Sequence, residues 1–159
     1  MNKLLLKRIS ILSIIAGMVL AFFTLIPFIN VLSFFMLMCL ISVFIAVLMT
    51  KLDLIEMLTI RESVVFGAVT GFISFMAFSA VYLPIIAVIG KFFNLYNIYP
   101  IALFLNAGSF GIIFLLAVFT AVLSAVTNAF SAFLTFYLSE LLHVRKKNIE
   151  NSKFEVKNE

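Results

Sequence analysis

Charge is the scarcest property of this chain. Only 11 % of its 159 residues are charged, and none lies between Arg8 and Lys51. A soluble domain of this size needs a charged surface, so the scarcity excludes one. A single cysteine, Cys39, excludes an intrachain disulfide, and with only one histidine, His143, beside it no His/Cys zinc site can be built. No charged residue falls in the middle of an apolar run, which weighs against a proton relay or an ion-coupled carrier. No P-loop or dinucleotide fingerprint occurs, and no cofactor is expected.

What is present is apolar. Hydrophobic residues make up 65 % of the chain, twenty of them Phe, and the mean hydropathy is +1.27. These values describe an integral membrane protein, all-α, with room for one membrane domain and no sizeable soluble one. The formal net charge of +4 comes from Lys and Arg at helix ends and tails. There they set orientation, and nucleic acid is not expected as a partner.

Lys3, Lys7 and Arg8 precede an apolar run from Ile9 to Ile26. A basic start and Val19-Leu20-Ala21 resemble a signal peptide, but the run continues past Ala21 and is long enough to span, so it is read as a span. The uncharged stretch Ile9–Thr50 would make a single helix of about 63 Å, twice the hydrocarbon thickness. Ile26-Pro-Phe-Ile-Asn30 breaks it: Pro27 lacks an amide hydrogen, and Asn30 suits a turn or N-cap. The expectation is a tight hairpin of two spans, Lys7–Ile26 and Asn30–Thr50. Lys51–Glu62 then reads as a short interfacial connector.

Thr59-Ile-Arg-Glu62 has the form of a capping box and opens a third span, from Ile60 to about Leu83, that bends or ends at Pro84. Tyr82, Phe92, Phe93, Tyr96 and Tyr99 read as an interfacial aromatic cluster. Asn94, Asn97 and Pro100 mark a loop. From Ile101 the pattern predicts a short outer segment, a break near Gly108–Gly111 and a long last helix ending near Lys147. The domain is thus 1–147, a compact four-helix bundle, and 148–159 reads as a polar, disordered cytoplasmic tail. Ten of the eleven Lys and Arg fall at the N-terminus, the connector and the C-terminus, and only Lys91 lies opposite. This bias predicts four spans with both termini cytoplasmic, in the cell membrane of a bacterium.

Within the third span Ser63, Gly67, Thr70, Gly71, Ser74 and Ala77 share one face, and Gly67-x-x-x-Gly71 has the spacing that lets helices approach closely in lipid. On a wheel from Ala117 to Tyr137, Thr120, Ser124, Thr127, Asn128, Ser131 and Thr135 gather on one side. Ala117, Ala121, Ala125, Ala129 and Ala132 flank them. Phe119, Val122, Leu123, Val126, Phe130, Phe133 and Tyr137 occupy the other side. A carboxamide facing hydrocarbon would be unpaired, so Asn128 is expected to face inward and bond another helix or a buried water. The expected helix-packing residues are Gly67, Gly71, Ser74, Ala121, Ala125, Asn128 and Ala129.

Three further groups bear on chemistry or on the membrane surface. Ser109 in Gly108-Ser-Phe-Gly111 invites a serine-protease reading, but His143 is about 51 Å along the same expected helix, too far for a dyad. Glu140-x-x-His143 is half of a four-helix di-iron site whose other carboxylates are missing. Arg145-Lys146-Lys147 forms a basic membrane-surface patch that sets topology and could attract anionic lipid.

The turn at Ile26–Asn30, Cys39 in the second span, the charged connector, Glu62 opening the third span and Gly67-x-x-x-Gly71 together resemble a family of small, functionally uncharacterised four-helix membrane proteins of bacteria and archaea. The resemblance covers about residues 10–90. It implies a multi-pass membrane protein and no activity.

With packing faces and no reactive constellation, the sequence reads as a non-enzymatic scaffold or interaction protein. Its partners would be the lipid bilayer and a second copy or another membrane protein. The alternative is a passive pore or the membrane subunit of a transporter. A polar cavity between the third and fourth spans would favour that alternative, and a dry, filled interface the first reading.

Overall fold

The computed structural model describes residues 3–52, 58–93, 101–108 and 110–157, and for 106, 143, 144 and 146–157 the backbone only. Five helices follow one another: α1 (Lys3–Thr24), α2 (Asn30–Lys51), α3 (Ile60–Phe93), α4 (Ile101–Asn106) and α5 (Phe110–Lys157). No strand occurs among the described residues. Four helices are long and apolar enough to cross a membrane: α1, α2, α3 and the Phe110–Leu142 part of α5.

Backbone hydrogen bonds close the turn between α1 and α2. Leu25 N–H donates to Phe22 O, Ile29 N–H to Ile26 O and Asn30 N–H to Ile26 O, the last at 3.0 Å. Asn30 is the first residue of α2 and not its cap, because Ile29 occupies that position without a side-chain bond.

Helix α2 is not uniform. An α-helical turn, Asn30–Phe35, gives way to a π-helical turn at Met36–Leu40 and returns to α geometry over Ile41–Lys51. Nothing in Met-Leu-Met-Cys-Leu announces this, since the segment holds neither Gly nor Pro.

Helix α3 opens on the expected box. Thr59 N–H donates to Glu62 Oε2 at 3.3 Å and Glu62 N–H to Thr59 Oγ1 at 3.4 Å. The helix does not end at Pro84 but continues to Phe93, a length of 34 residues or about 51 Å. Pro84 has no amide hydrogen for the Ala80 carbonyl, a loss one helix can absorb when its neighbours hold it. Short α4 ends at Gly108, whose φ of +78° is the left-handed conformation glycine adopts after a helix.

Helix α5 runs through Lys157, ten residues beyond the expected end at Lys147. Residues 148–159 contain no Gly or Pro, and Glu and Lys are good helix formers, so nothing local stops the helix. Residues 53–57 of the connector, Ser109, and the 94–100 segment with Tyr96, Tyr99, Asn94, Asn97 and Pro100 lie outside the described residues.

The core forms three clusters stacked along the bundle. Ile9, Ile41, Ile45, Met49, Phe66 and Ala132 make the first, Ala21, Leu37, Phe75, Phe78 and Ala121 the second, and Ile86, Ala102, Leu105 and Ile113 the third. Ile9 meets the level of Phe66 and Ala21 that of Phe78, so α1 and α3 run in the same direction. Gly67 meets Asn128 and Ala132 while Gly71 meets Ser124, so α3 and α5 are antiparallel.

Candidate functional site

The densest set of buried polar groups lies where α2, α3 and α5 meet. Asn128 of α5 is fully buried, with Phe130 two residues on turned outward, the division the wheel predicts. Its partners are backbone atoms of α2 in and just after the π turn, together with Ser124 one turn back on its own helix, to whose carbonyl Asn128 Nδ2 donates at 2.9 Å. Ser42 N–H donates to Asn128 Oδ1 at 3.0 Å, and Asn128 Nδ2 donates to Met38 O at 2.8 Å and Leu37 O at 3.1 Å.

In an unbroken α-helix the Ser42 N–H would donate to the Met38 carbonyl, four residues back. Here the carboxamide stands between them, accepting from one and donating to the other. Asparagine fits because its side chain carries a donor and an acceptor in the same geometry as a peptide group. The amide orientation is forced, since a flipped group would set NH2 against the Ser42 N–H. An insertion of this kind explains the π turn: a widened turn exposes backbone groups that a second helix can satisfy.

The joint is reinforced on both sides. Ser42 Oγ donates back to Asn128 O at 2.9 Å, and Ser124 Oγ reaches Leu37 O at 3.3 Å and Gly71 O at 3.2 Å. Thr127, expected on the inward face, is exposed, yet its hydroxyl donates to Met38 O. Phe133, placed on the outer side, is half-buried and stacks on Tyr137 at 5.9 Å.

Backbone proximity makes these bonds possible. A Cβ on Gly67 would lie 2.3 Å from Asn128 O, and one on Gly71 would lie 2.4 Å from Ser124 O. Neither site has room for any side chain, and Ala129 and Ala132 complete the contact from α5. Ala121 is fully buried and Ala125 half-buried on the same face.

Ser74 meets Gly17 of α1, where a Cβ would lie 2.2 Å from Ser74 O. Gly17 was not among the expected packing residues. Its signal was available in Ser13-x-x-x-Gly17-x-x-x-Ala21, a small residue every four positions on the buried stripe of α1. The hydroxyls of Ser13, Thr70 and Ser74 are buried and have no hydrogen-bond partner among the described residues. Small size fits these residues to the contact, because the helices touch there.

Toward the end of the bundle that holds the α1–α2 turn, the helices part. A cavity of about 840 Å³ opens there, bounded by Phe34, Phe75, Phe78, Leu83, Ile113 and Leu116 among others. Tyr82 also lines it, stacked on Phe78 at 5.0 Å. Phe92 and Phe93, grouped with it in the expected aromatic cluster, are strongly exposed about three turns further on.

Among the described residues no three His, Cys, Asp or Glu side chains come together. Cys39 is a free, half-buried thiol on the π turn. Arg145 is exposed, while the side chains of His143, Lys146 and Lys147 lie outside those described. Comparison with protein-family models, with curated proteins and with solved structures found no match in any of the three.

Proposed function

We propose that the chain is a multi-pass protein of the cell membrane, in a bacterium the inner membrane, with both termini cytoplasmic and α1 and α2 forming a tight hairpin. It acts without catalysis, as a scaffold or interaction protein. One observation carries the reading: α3 and α5 touch backbone to backbone at Gly67 and Gly71, beside the bonds from Asn128 to α2, and the cavity further along the same interface is lined mainly by apolar side chains. A passive pore or a transporter's membrane subunit would need a polar path at this place, where there is no space for a methyl group. The likeness to small four-helix membrane proteins agrees with the reading and adds no activity.

The glycine faces are used up inside the chain. A second copy or another membrane protein must therefore dock on an outer surface, and α5 offers a long apolar one with Phe114, Phe119, Val126 and Phe130. Arg145-Lys146-Lys147 at the cytoplasmic boundary would hold that helix against anionic lipid.

Reporter fusions after Thr59 and Lys147 should read cytoplasmic and one after Asn97 external; an external C-terminal reporter would end the four-span topology. Native mass spectrometry and crosslinking of the purified protein should show a homo-oligomer or a bound membrane protein. A lone monomer under both would defeat the scaffold reading.

A further inference from the structure

The cavity of about 840 Å³ falls within the roughly 300–1,000 Å³ typical of ligand sites. One wall is a run of rings in mutual contact: Phe34 on Phe75 at 6.2 Å, Phe75 on Phe78 at 5.7 Å and Phe78 on Tyr82 at 5.0 Å. The facing wall is aliphatic, from Ile112, Ile113 and Leu116. The residues that line it carry no charged side chain, so an ionic, water-borne solute gains nothing by entering.

The cavity has a polar end. Because α1 and α3 run in the same direction, Thr24, Asn30 and Leu83 lie at the α1–α2 turn, while Phe75 and Thr120 lie deeper. From Leu83 to Phe75 the depth is about 12 Å along the helix. Thr24 Oγ1 already donates to Leu20 O at 2.7 Å. Asn30 is different: the residue lines the cavity, while its Oδ1 is closed off even from a water-sized group and has no hydrogen-bond partner among the described residues, so it meets a ligand once the carboxamide turns toward the cavity. A buried acceptor without a donor is a standing free-energy loss that a ligand can remove.

We propose that this cavity binds one apolar chain of a membrane lipid whose head group carries a hydroxyl or amine donor, with Asn30 Oδ1 accepting from that head. The proposal rests on the membrane-spanning reading, since the bilayer supplies the ligand. The chain lies along the Phe34–Phe75–Phe78–Tyr82 wall, and the head stays at the α1–α2 turn. Specificity comes from the donor: aromatic walls accept any hydrocarbon chain, whereas the carboxamide oxygen discriminates between heads that can donate and heads that cannot.

The test uses the full chain in phosphatidylcholine vesicles, whose choline head has no hydrogen-bond donor. The probes are a long-chain alcohol with a photoreactive diazirine in its chain and the O-methyl ether of the same alcohol. The alcohol should label residues 75–83 and 112–120 above the level at Phe130 on the outer face, and the ether should label them roughly fivefold less, the worth of one neutral hydrogen bond. Asn30→Val should lower alcohol labelling to the ether level. Ala117→Phe, which fills the cavity from α5, should abolish labelling by both probes there and leave Phe130 labelled. Equal labelling by alcohol and ether, unchanged cavity labelling in Ala117→Phe, or labelling no higher than at Phe130 would each overturn the site. Absence of labelling everywhere, Phe130 included, would overturn the membrane reading and the site with it.

Discussion

The same two helices, α3 and α5, meet in opposite ways at the two ends of their contact. Around Gly67 and Gly71 their backbones touch, and a Cβ would come within 2.3–2.4 Å of a carbonyl oxygen. Further along, Phe75, Phe78 and Leu83 face Ile112, Ile113 and Leu116, and a cavity separates them. Both ends are apolar helix in the same bundle. What differs is side-chain volume: glycine, serine and alanine allow contact of backbone with backbone, while rings and branched chains act as a wedge. Close contact lets the Ser124 hydroxyl of α5 reach Gly71 O of α3, beside the bonds from Asn128 to the α2 backbone. The bundle is thus clamped at one end and propped open at the other.

The clamp is the place to break first. Gly71→Ile drives a branched side chain into Ser124 O and should lower stability by about 3 kcal/mol or more, at or beyond the upper end of ordinary overpacking. Thermal melting in detergent would show it as the largest loss in the set. A silent Gly71→Ile would mean that the face looks at lipid and that the two ends do not differ. Gly17→Ile should behave alike, through Ser74 O at 2.2 Å.

Asn128 comes second. Asn128→Asp removes the Nδ2 donor and sets a carboxyl group against the Met38 and Leu37 carbonyls. Asn128→Leu leaves the Ser42 N–H and the Met38 carbonyl free to restore their own α-helical bond. The expected losses are about 3 kcal/mol for Asp and about 1 kcal/mol for Leu, read by the same melting experiment. Asn128→Leu as damaging as Asn128→Asp would show that α2 cannot straighten and that the π turn is built in by its own packing.

Much of the clamp was legible beforehand. The wheel over Ala117–Tyr137 separates Asn128 from Phe130 because helix period and polarity agree there, and Gly67-x-x-x-Gly71 states close approach in its spacing. The partner of Asn128 was not legible. A π turn in Met36–Leu40 leaves no mark in an all-apolar run, and the residue that bonds it lies 90 positions away. The cavity was hidden for a related reason. Empty volume is a property of how far apart two helices stand, and Phe75 or Leu116 reads the same whether it fills a core or lines a hole. The capping box could be read because all its partners lie within four residues. The far end of α5 is less legible, because polarity suggests a tail after Lys147 while the residues there have no intrinsic reason to stop a helix.

Third in size is the cap of α3 on the clamped side. Thr59→Ala removes the acceptor for Glu62 N–H, a long bond at 3.4 Å, and should lower stability by about 1 kcal/mol or less. Glu62→Gln keeps an oxygen for the Thr59 N–H and should lose less than Thr59→Ala. If Thr59→Ala matched Gly71→Ile in the melt, the clamp would depend on where α3 starts and not on backbone contact.

The smallest effect belongs to the open end and has the opposite sign. Gly111 lies in the first turn of α5, next to the cavity-lining Ile112, and a Cβ there would meet nothing within 4 Å among the described residues. Its φ is not in the left-handed region, which among the described glycines only Gly108 occupies. Alanine can therefore adopt the native backbone, and it loses less conformational freedom on folding than glycine does. Gly111→Ala should raise stability by about 0.4–1 kcal/mol. Gly108→Ala, one turn earlier, should lower it, because φ of +78° strains any residue with a Cβ. Melting the two variants beside Gly71→Ile separates the three reasons for glycine in one chain: contact at the clamp, conformation at the break, and neither at the edge of the cavity. If Gly111→Ala destabilised as much as Gly71→Ile, the start of α5 would be in contact too, and the open end would not be open.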